Sequence, residues 1–171
     1  LSIEEEYAMQ ESWRIDDKKL TFIVVADGEG VDVEKVPSKL DFYQNNMAGD
    51  VNLFFNDRDD EKVCEIEIMI AEKQFRRQGR AEEALRMIMR YALDNFAVRR
   101  FYCKINEVNA GSIALFTEKL GYKEVNYVSA FKEYEFELLM NADDTDKCKD
   151  EPTEAASTIK QTHYIERPFV L

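Results

Sequence analysis

The stretch that decides the fold is residues 63–71, Val-Cys-Glu-Ile-Glu-Ile-Met-Ile-Ala, together with the basic segment that follows it. Its side chains alternate with the period of a β-strand, so the pattern predicts one apolar face and one polar face. The apolar face consists of Cys64, Ile66, Ile68 and Ile70, and the opposite face of Glu65, Glu67 and Met69. A strand with two carboxylates on one face is the first candidate for the centre of a site.

A basic loop and a long helix follow this strand. Residues 76–81 (RRQGRA) contain three arginines and Gly79. Apolar residues at spacings of three and four then predict a helix over residues 80–96. No Ser, Thr, Asp or Asn stands at residues 75–81, so this helix lacks the usual side chains that cap its first amides. A bound anion would satisfy those amides with help from the helix dipole, and water would do so equally well. The segment is not a P-loop, because the Lys-Ser/Thr pair that holds magnesium is missing.

The rest of the chain predicts one α/β domain over residues 1–140, a mixed sheet with helices on its faces. Ser2 and Glu5 form a capping-box pattern for a first helix that ends near residue 14. Further strands are expected at residues 20–26, 47–55, 100–106, 122–128 and 131–140, and a short helix at residues 109–120, closed by Gly121. Residues 27–46 are interpreted as an exposed loop, and residues 141–171 as an acidic linker with a C-terminal segment.

Composition excludes several classes of function. The formal net charge is −12, which disfavours binding to nucleic acid and to anionic membranes and favours cationic partners. One histidine and three cysteines fit no zinc signature, and no apolar run reaches the length of a membrane span. Cysteines within strand-like segments favour free thiols and a cytoplasmic location.

Two segments carry a resemblance to a known family. Arg76-x-x-Gly79-x-Ala81 after the alternating strand resembles the acyl-CoA signature of the GNAT N-acetyltransferase superfamily. Residues 109–122 (NAGSIALFTEKLGY) resemble the later helix of the same family, at the expected separation and in the expected order. The resemblance implies the acyl-CoA N-acyltransferase fold, lacking its first strand and first helix ahead of Leu1. It also implies acetyl-CoA as acetyl donor and a primary amine, at a protein N-terminus, as acceptor.

The same resemblance implies a set of cofactor contacts. The backbone of Met69, Ile70 and Ala71 is expected to pair with the pantetheine arm like an added strand. The pyrophosphate is expected on the loop formed by Arg76, Arg77, Gln78, Gly79, Arg80 and Ala81. Asn109 would contact the arm, although capping of the helix at residues 109–120 is an alternative role for it. Phe116 is expected either against the cofactor or in the core.

Acetyl transfer needs a base, donors for an oxyanion and often an acid. Glu65 and Glu67 are the candidate bases, and an ordinary solvated strand face is the alternative interpretation. Many family members have tyrosine where this chain has Phe116, which cannot donate a proton. Tyr102, Tyr122 and Tyr127 are possible substitutes. Because Phe116 replaces the family's tyrosine, a second function stays open, that of an acyl-CoA-binding protein with little catalysis.

Overall fold

Residues 2–26, 35 and 37–140 are described by the structure, a computed structural model. Its helices and strands follow one another along the chain in an α/β order. The helices are α1 (Ile3–Arg14), α2 (Lys39–Asn46), α3 (Arg80–Phe96) and α4 (Ala110–Ala114), and the strands are β1 (Lys19–Val25), β2 (Met47–Phe54), β3 (Val63–Ile70), β4 (Arg100–Asn106), β5 (Lys123–Val128) and β6 (Glu133–Leu139). The predicted acidic segment at residues 141–171 lies outside the described residues.

The strands form one mixed sheet in the order β1-β2-β3-β4-β6-β5. Neighbouring strands are antiparallel except β3 and β4, which are parallel. Helix α3 is the crossover between these two parallel strands.

The core lies between α3, α4 and the apolar face of the sheet. Leu85, Ile88 and Ala92 of α3 are buried in it, as are Cys64 and Ile66 of β3. The alternation of β3 therefore has the predicted sense, because Glu67 and Met69 on the other face are exposed. The buried apolar stripe of α3 packs this helix against the sheet, and α3 follows β3 in the chain.

Local signals placed most elements correctly. The amide of Ser2 donates to the Glu5 carboxylate over 2.7 Å, and the Glu5 amide donates to Ser2 Oγ over 3.2 Å, so the capping box of α1 is complete. The interpretation of residues 27–46 as loop is wrong for α2. Ser38 caps that helix by accepting from the Asp41 amide, a Ser-x-x-Asp signal that the surrounding charges and Pro37 obscured.

The helix expected over residues 109–120 changes character midway. After α4 the chain continues as a π-helical turn, Leu115–Lys119, in which the Leu120 amide donates to the Leu115 carbonyl. Gly121 then ends it with φ of 76°, the left-handed conformation expected of a residue just past a helix.

Candidate active site

The parallel strands β3 and β4 pair only at their beginnings. Their register runs from Val63 opposite Arg100 to Glu65 opposite Tyr102. Both strands continue for several residues beyond that point, so a gap opens between them within the sheet. β2 and β6 remain paired to the outer sides of β3 and β4 along this length. The backbone on either side of the gap is therefore not paired by any of the described strands.

Backbone direction decides which groups of β3 face this gap. The Ala71 amide donates to the Ala48 carbonyl of the adjoining β2 over 2.9 Å. Because successive residues of a strand direct their polar backbone groups to opposite sides, Met69 also faces β2, while Ile68 and Ile70 face the gap. Of the three residues expected along the pantetheine arm, only Ile70 directs its N–H into the gap.

The loop at residues 76–81 has the backbone of an anion-binding turn. Arg77 has φ of 59° and Gly79 has φ of 78°, so both are left-handed. Gly79 is the residue before α3, and no described side chain caps that helix. The first helical bond of α3 is from the Glu83 amide to the Gly79 carbonyl. Within the part of the chain that the structure describes, the amides of residues 80–82 therefore have neither a helical nor a side-chain acceptor. A left-handed residue followed by a helical one also turns successive N–H groups inward, as in known anion-binding nests.

The three arginines of this loop have different environments. Arg76 donates from Nε to the Ile70 carbonyl over 2.8 Å and from Nη2 to the Ala71 carbonyl over 2.9 Å. Arg80 makes one long hydrogen bond, 3.3 Å, to Gln78 Oε1, and its guanidinium lies 5.5 Å from the centre of a phenylalanine ring, that of Phe75. Arg77 is exposed. The basic character of the loop is thus presented mainly by Arg77 and Arg80.

Asn109 and Phe116, the two site residues expected from residues 109–122, have structural roles in this fold. Asn109 is the N-cap of α4, since its side-chain oxygen accepts from the Ser112 amide over 3.2 Å. Phe116 is 2% exposed and packs edge-on against the Tyr122 ring at 5.0 Å. Phe116 thus lies in the core, one of the two places expected for it, and a contact with the cofactor stays a prediction.

Glu65 lies at the last paired position before the gap and is fully engaged. Lys104 Nζ of β4 is 2.9 and 3.0 Å from its two carboxylate oxygens. Tyr102 lies directly opposite on β4, and besides burial the charge of the same carboxylate helps to raise the pKa of its hydroxyl. A carboxylate whose two oxygens are both bonded to a lysine is a weak candidate for accepting a further proton.

Glu67 is different, because its carboxylate has no hydrogen bond or ion pair to any other described residue. It lies further along β3, beside the gap. The adjoining strands remove part of its hydration, which raises its pKa above the usual 4.5, and the negative charge of Glu65 raises it further. Nearby Lys104 and Lys19 lower that pKa by a smaller amount. An unpartnered carboxylate with a raised pKa is suited to act as a base.

None of the three tyrosines is a good general acid. Tyr122 is buried with its hydroxyl donating to Met89 Sδ, and burial raises its pKa well above 10. Tyr127 is exposed and donates to Glu107. Tyr102 is nearest the gap, but burial and then the charge of Glu65 raise its pKa to about 12. A phenol with such a pKa loses its proton reluctantly, so an acid for the thiolate is not apparent among these groups.

Several residues on the sheet face around Glu65 and Glu67 were not predictable from local sequence. Lys104 is 39 positions from Glu65, and nothing local signals their pairing. On β2, Asn52 lies opposite Glu67, accepts from Thr21 Oγ1 over 2.5 Å and donates to Asp50 over 2.6 Å. Only the alternation of polar residues along β1 and β2 could have indicated that these side chains share a face. Together these contacts make the face around Glu67 polar and hydrogen-bonded.

A groove also opens on this side of the sheet. Its volume is about 280 Å³, and it is lined by Lys104, Val128, Phe131, Glu133 and Glu135. Because Lys104 is paired with Glu65, the two glutamates leave the groove acidic. Within the described residues, no three His, Cys, Asp or Glu side chains are grouped to hold a metal ion. No described helix has the length and apolar character that crossing a membrane requires.

A gap between two parallel strands that leads to the uncapped start of a helix is the arrangement expected for the acyl-CoA site of an N-acetyltransferase. Residues 3–123 match the family model described as "Acetyltransferase (GNAT) domain". The chain belongs to this GNAT family.

Within this family, the chain is similar to relatives named N-acetyltransferase 9. The chain is 47% identical over 142 residues to an N-acetyltransferase 9-like protein of Caenorhabditis briggsae, a match that covers 81% of this chain and 66% of that protein. It is 36% identical over 169 residues to the mouse protein named alpha/beta-tubulin-N-acetyltransferase 9, covering 99% of this chain and 64% of the mouse protein. The chain thus spans slightly less than two thirds of the length of these relatives.

Solved structures agree on the fold. A domain from Methanocaldococcus jannaschii superposes with a TM-score of 0.60 at 21% identity, covering 82% of this chain and 77% of that one. A spermidine/spermine N-acetyltransferase from Vibrio cholerae gives 0.63 at 16% identity, with 88% and 82% covered. At these identities the likeness concerns the fold alone.

Proposed function

We propose that this chain transfers the acetyl group of acetyl-CoA to a primary amine. One observation carries the proposal: the gap between β3 and β4 leads to the uncapped, left-handed turn at Gly79. An extended arm along the gap would bring an attached pyrophosphate to the amides of residues 80–82. Arg77 and Arg80 would add positive charge at the same place. Acetyl-CoA has this combination of a long amide-containing arm and a pyrophosphate.

The chemistry requires a neutral amine beside the thioester. In the proposed mechanism the Glu67 carboxylate accepts the amine proton, directly or through water, as the nitrogen attacks the acetyl carbonyl carbon. The C–S bond then breaks, and the coenzyme leaves as its thiolate. N–H groups directed into the gap are available as donors to the oxyanion. Glu65 acts on this step through its charge, since it is already paired with Lys104.

The acceptor we propose is the N-terminal amine of a protein. The relatives are named N-acetyltransferases, and the mouse one is named for alpha- and beta-tubulin, which makes tubulin N-termini the first acceptors to test. An acidic groove and a net charge of −12 favour a cationic acceptor. The buried, unpaired thiols of Cys64 and Cys103 support a cytoplasmic setting for this reaction.

A second candidate function is binding of acyl-CoA with little catalysis. Phe116 in the core supports it, as does the raised pKa of Tyr102, because neither residue offers a ready proton to the thiolate.

The experiment that separates these functions measures binding and release together. The 171-residue chain is mixed with acetyl-CoA and with N-terminal peptides of alpha- and beta-tubulin, with polyamines and lysine peptides as comparisons. Calorimetry measures binding of acetyl-CoA, and a thiol reagent measures free coenzyme A. Binding with thiol release supports the transferase, and binding without release for every amine supports the second candidate. Absence of acetyl-CoA binding contradicts both.

A further inference from the structure

The guanidinium of Arg76 is occupied by the protein's own backbone. It donates from Nε to the Ile70 carbonyl over 2.8 Å and from Nη2 to the Ala71 carbonyl over 2.9 Å. Arginine carries its five N–H donors in a rigid planar fork, so it can serve two adjacent acceptors at once. We call this arrangement, Arg76 with the carbonyls of Ile70 and Ala71, the Arg76 bridge.

The position of the Arg76 bridge follows from the separation of the strands. β4 stops pairing with β3 after Glu65, so the Ile70 carbonyl, which faces the gap, has no partner on a described strand. The other side of the strand end is held by β2, where the Ala48 carbonyl accepts from the amides of Ala71 and Glu72 over 2.9 and 3.3 Å. The last residues of β3 are therefore held from both sides, by β2 and by Arg76.

We infer that Arg76 is a positioning residue, which joins the end of β3 to the start of the loop at residues 76–81, and that its charge does not bind the cofactor's pyrophosphate. This inference rests on the proposed function, since it concerns how the same site is held. The bridge sets the distance between the gap-facing N–H of Ile70 and the amides at the start of α3. A cofactor that contacts both places depends on that distance. Arg77 and Arg80 remain to supply the positive charge.

Three variants distinguish positioning from charge. Arg76→Lys keeps the positive charge but not the planar fork, Arg76→Gln removes both, and Arg77→Gln removes a charge that makes no such bridge. Acetyl-CoA binding is measured by calorimetry on the whole chain over a series of KCl concentrations. If Arg76 positions the site, both Arg76 variants weaken binding, Arg76→Gln by about tenfold. Arg76→Lys, which keeps the charge, then keeps the wild-type salt dependence, and Arg77→Gln reduces that dependence more than Arg76→Gln does because it removes a phosphate contact.

Rescue of binding by Arg76→Lys, or a salt dependence reduced in Arg76→Gln as much as in Arg77→Gln, overturns the inference. A second measurement needs no cofactor. In the free chain, the amides of Ala71 and Glu72 are expected to exchange hydrogen faster in Arg76→Gln than in wild type or in Arg77→Gln. Unchanged exchange also overturns the inference. If wild-type chain fails to bind acetyl-CoA, the proposed function fails, while the exchange measurement still decides whether the Arg76 bridge holds the strand.

Discussion

Two glutamates two positions apart on one strand face differ in what they can do. Glu65 has Lys104 at 2.9 Å, whereas Glu67 has no such partner among the described residues and has a raised pKa. The carboxylate pair was predictable from the alternation of β3. The difference between its members was not, because it depends on which side chains β4 brings opposite them.

Replacement of Glu67 tests its role as base. We expect Glu67→Gln to lower kcat/KM by about a hundredfold or more, since an amide of the same shape cannot accept the amine proton. Acetyl-CoA affinity should change little. Steady-state kinetics with a peptide acceptor check this, and a kcat/KM within a factor of two of wild type would remove Glu67 from the mechanism.

The pH profile tests the electrostatics around the same carboxylate. A base acts when deprotonated, so kcat/KM should rise with pH through the Glu67 pKa, which lies above the usual 4.5. Glu65 raises this pKa and Lys104 lowers it. Glu65→Gln should therefore move the acid limb to lower pH, and Lys104→Gln should move it to higher pH. Shifts of the same sign in both variants would contradict the arrangement.

At the scale of elements, the site depends on how closely β2 approaches β3 and on how α3 begins. A Cβ at Gly49 would lie 1.8 Å from the Met69 carbonyl oxygen and 2.9 Å from the Ile70 Cα. These are backbone atoms, which cannot rotate away as a side-chain end can. Glycine is therefore required at position 49 for β2 to lie this close to the end of β3. Its place in a strand-like segment gave no sign of this contact.

Gly49→Ala should destabilise the chain by about 1–3 kcal/mol, because the two strands must move apart. Gly111→Ala is the matched control. Gly111 lies within α4 with open space around it, so alanine should stabilise by about 0.4–1 kcal/mol through the unfolded chain. Urea unfolding measures both, and equal effects of the two substitutions would show that the close approach at Gly49 is unimportant.

The start of α3 allows a charge test at constant shape. Gly79 has φ of 78° and no atom within 4 Å of an added Cβ, and both Asn and Asp tolerate this conformation better than other residues do. Gly79→Asp should lose most of the thermal stabilisation by acetyl-CoA, since it places a carboxylate where the pyrophosphate is expected. Gly79→Asn should retain more of it. Identical stabilisation of the two variants would mean that no anion binds there.

For the whole molecule, the thiols in the core link stability to pH. Burial raises the pKa of Cys64 and of Cys103 to about 12, from an ordinary value of 9.0. Between these values the unfolded chain loses protons that the folded chain keeps. The free energy of unfolding therefore falls as pH rises above about 9.

Thermal unfolding at about pH 8 and about pH 10 measures this effect. We expect a lower Tm at the higher pH, and a smaller difference in the double variant Cys64→Ala and Cys103→Ala. That variant will have a lower Tm at both pH values because it leaves cavities, so the difference between the two pH values is the quantity to compare. An unchanged difference would show that these thiols do not control alkaline stability.

The sequence by itself determined the parts that depend on neighbours within a few residues. The alternation of β3, the stripe of α3, the capping box at Ser2 and the absence of a cap at residues 75–81 follow from local hydrogen bonding and periodicity. They were sufficient to predict the mixed sheet and, with residues 109–122, the family. Tertiary structure decided which groups meet: Lys104 with Glu65, Phe116 with Tyr122, and Arg76 with the carbonyls of Ile70 and Ala71. The physical reason is that such partners depend on strand register and on where two strands separate, which pairing between distant segments sets.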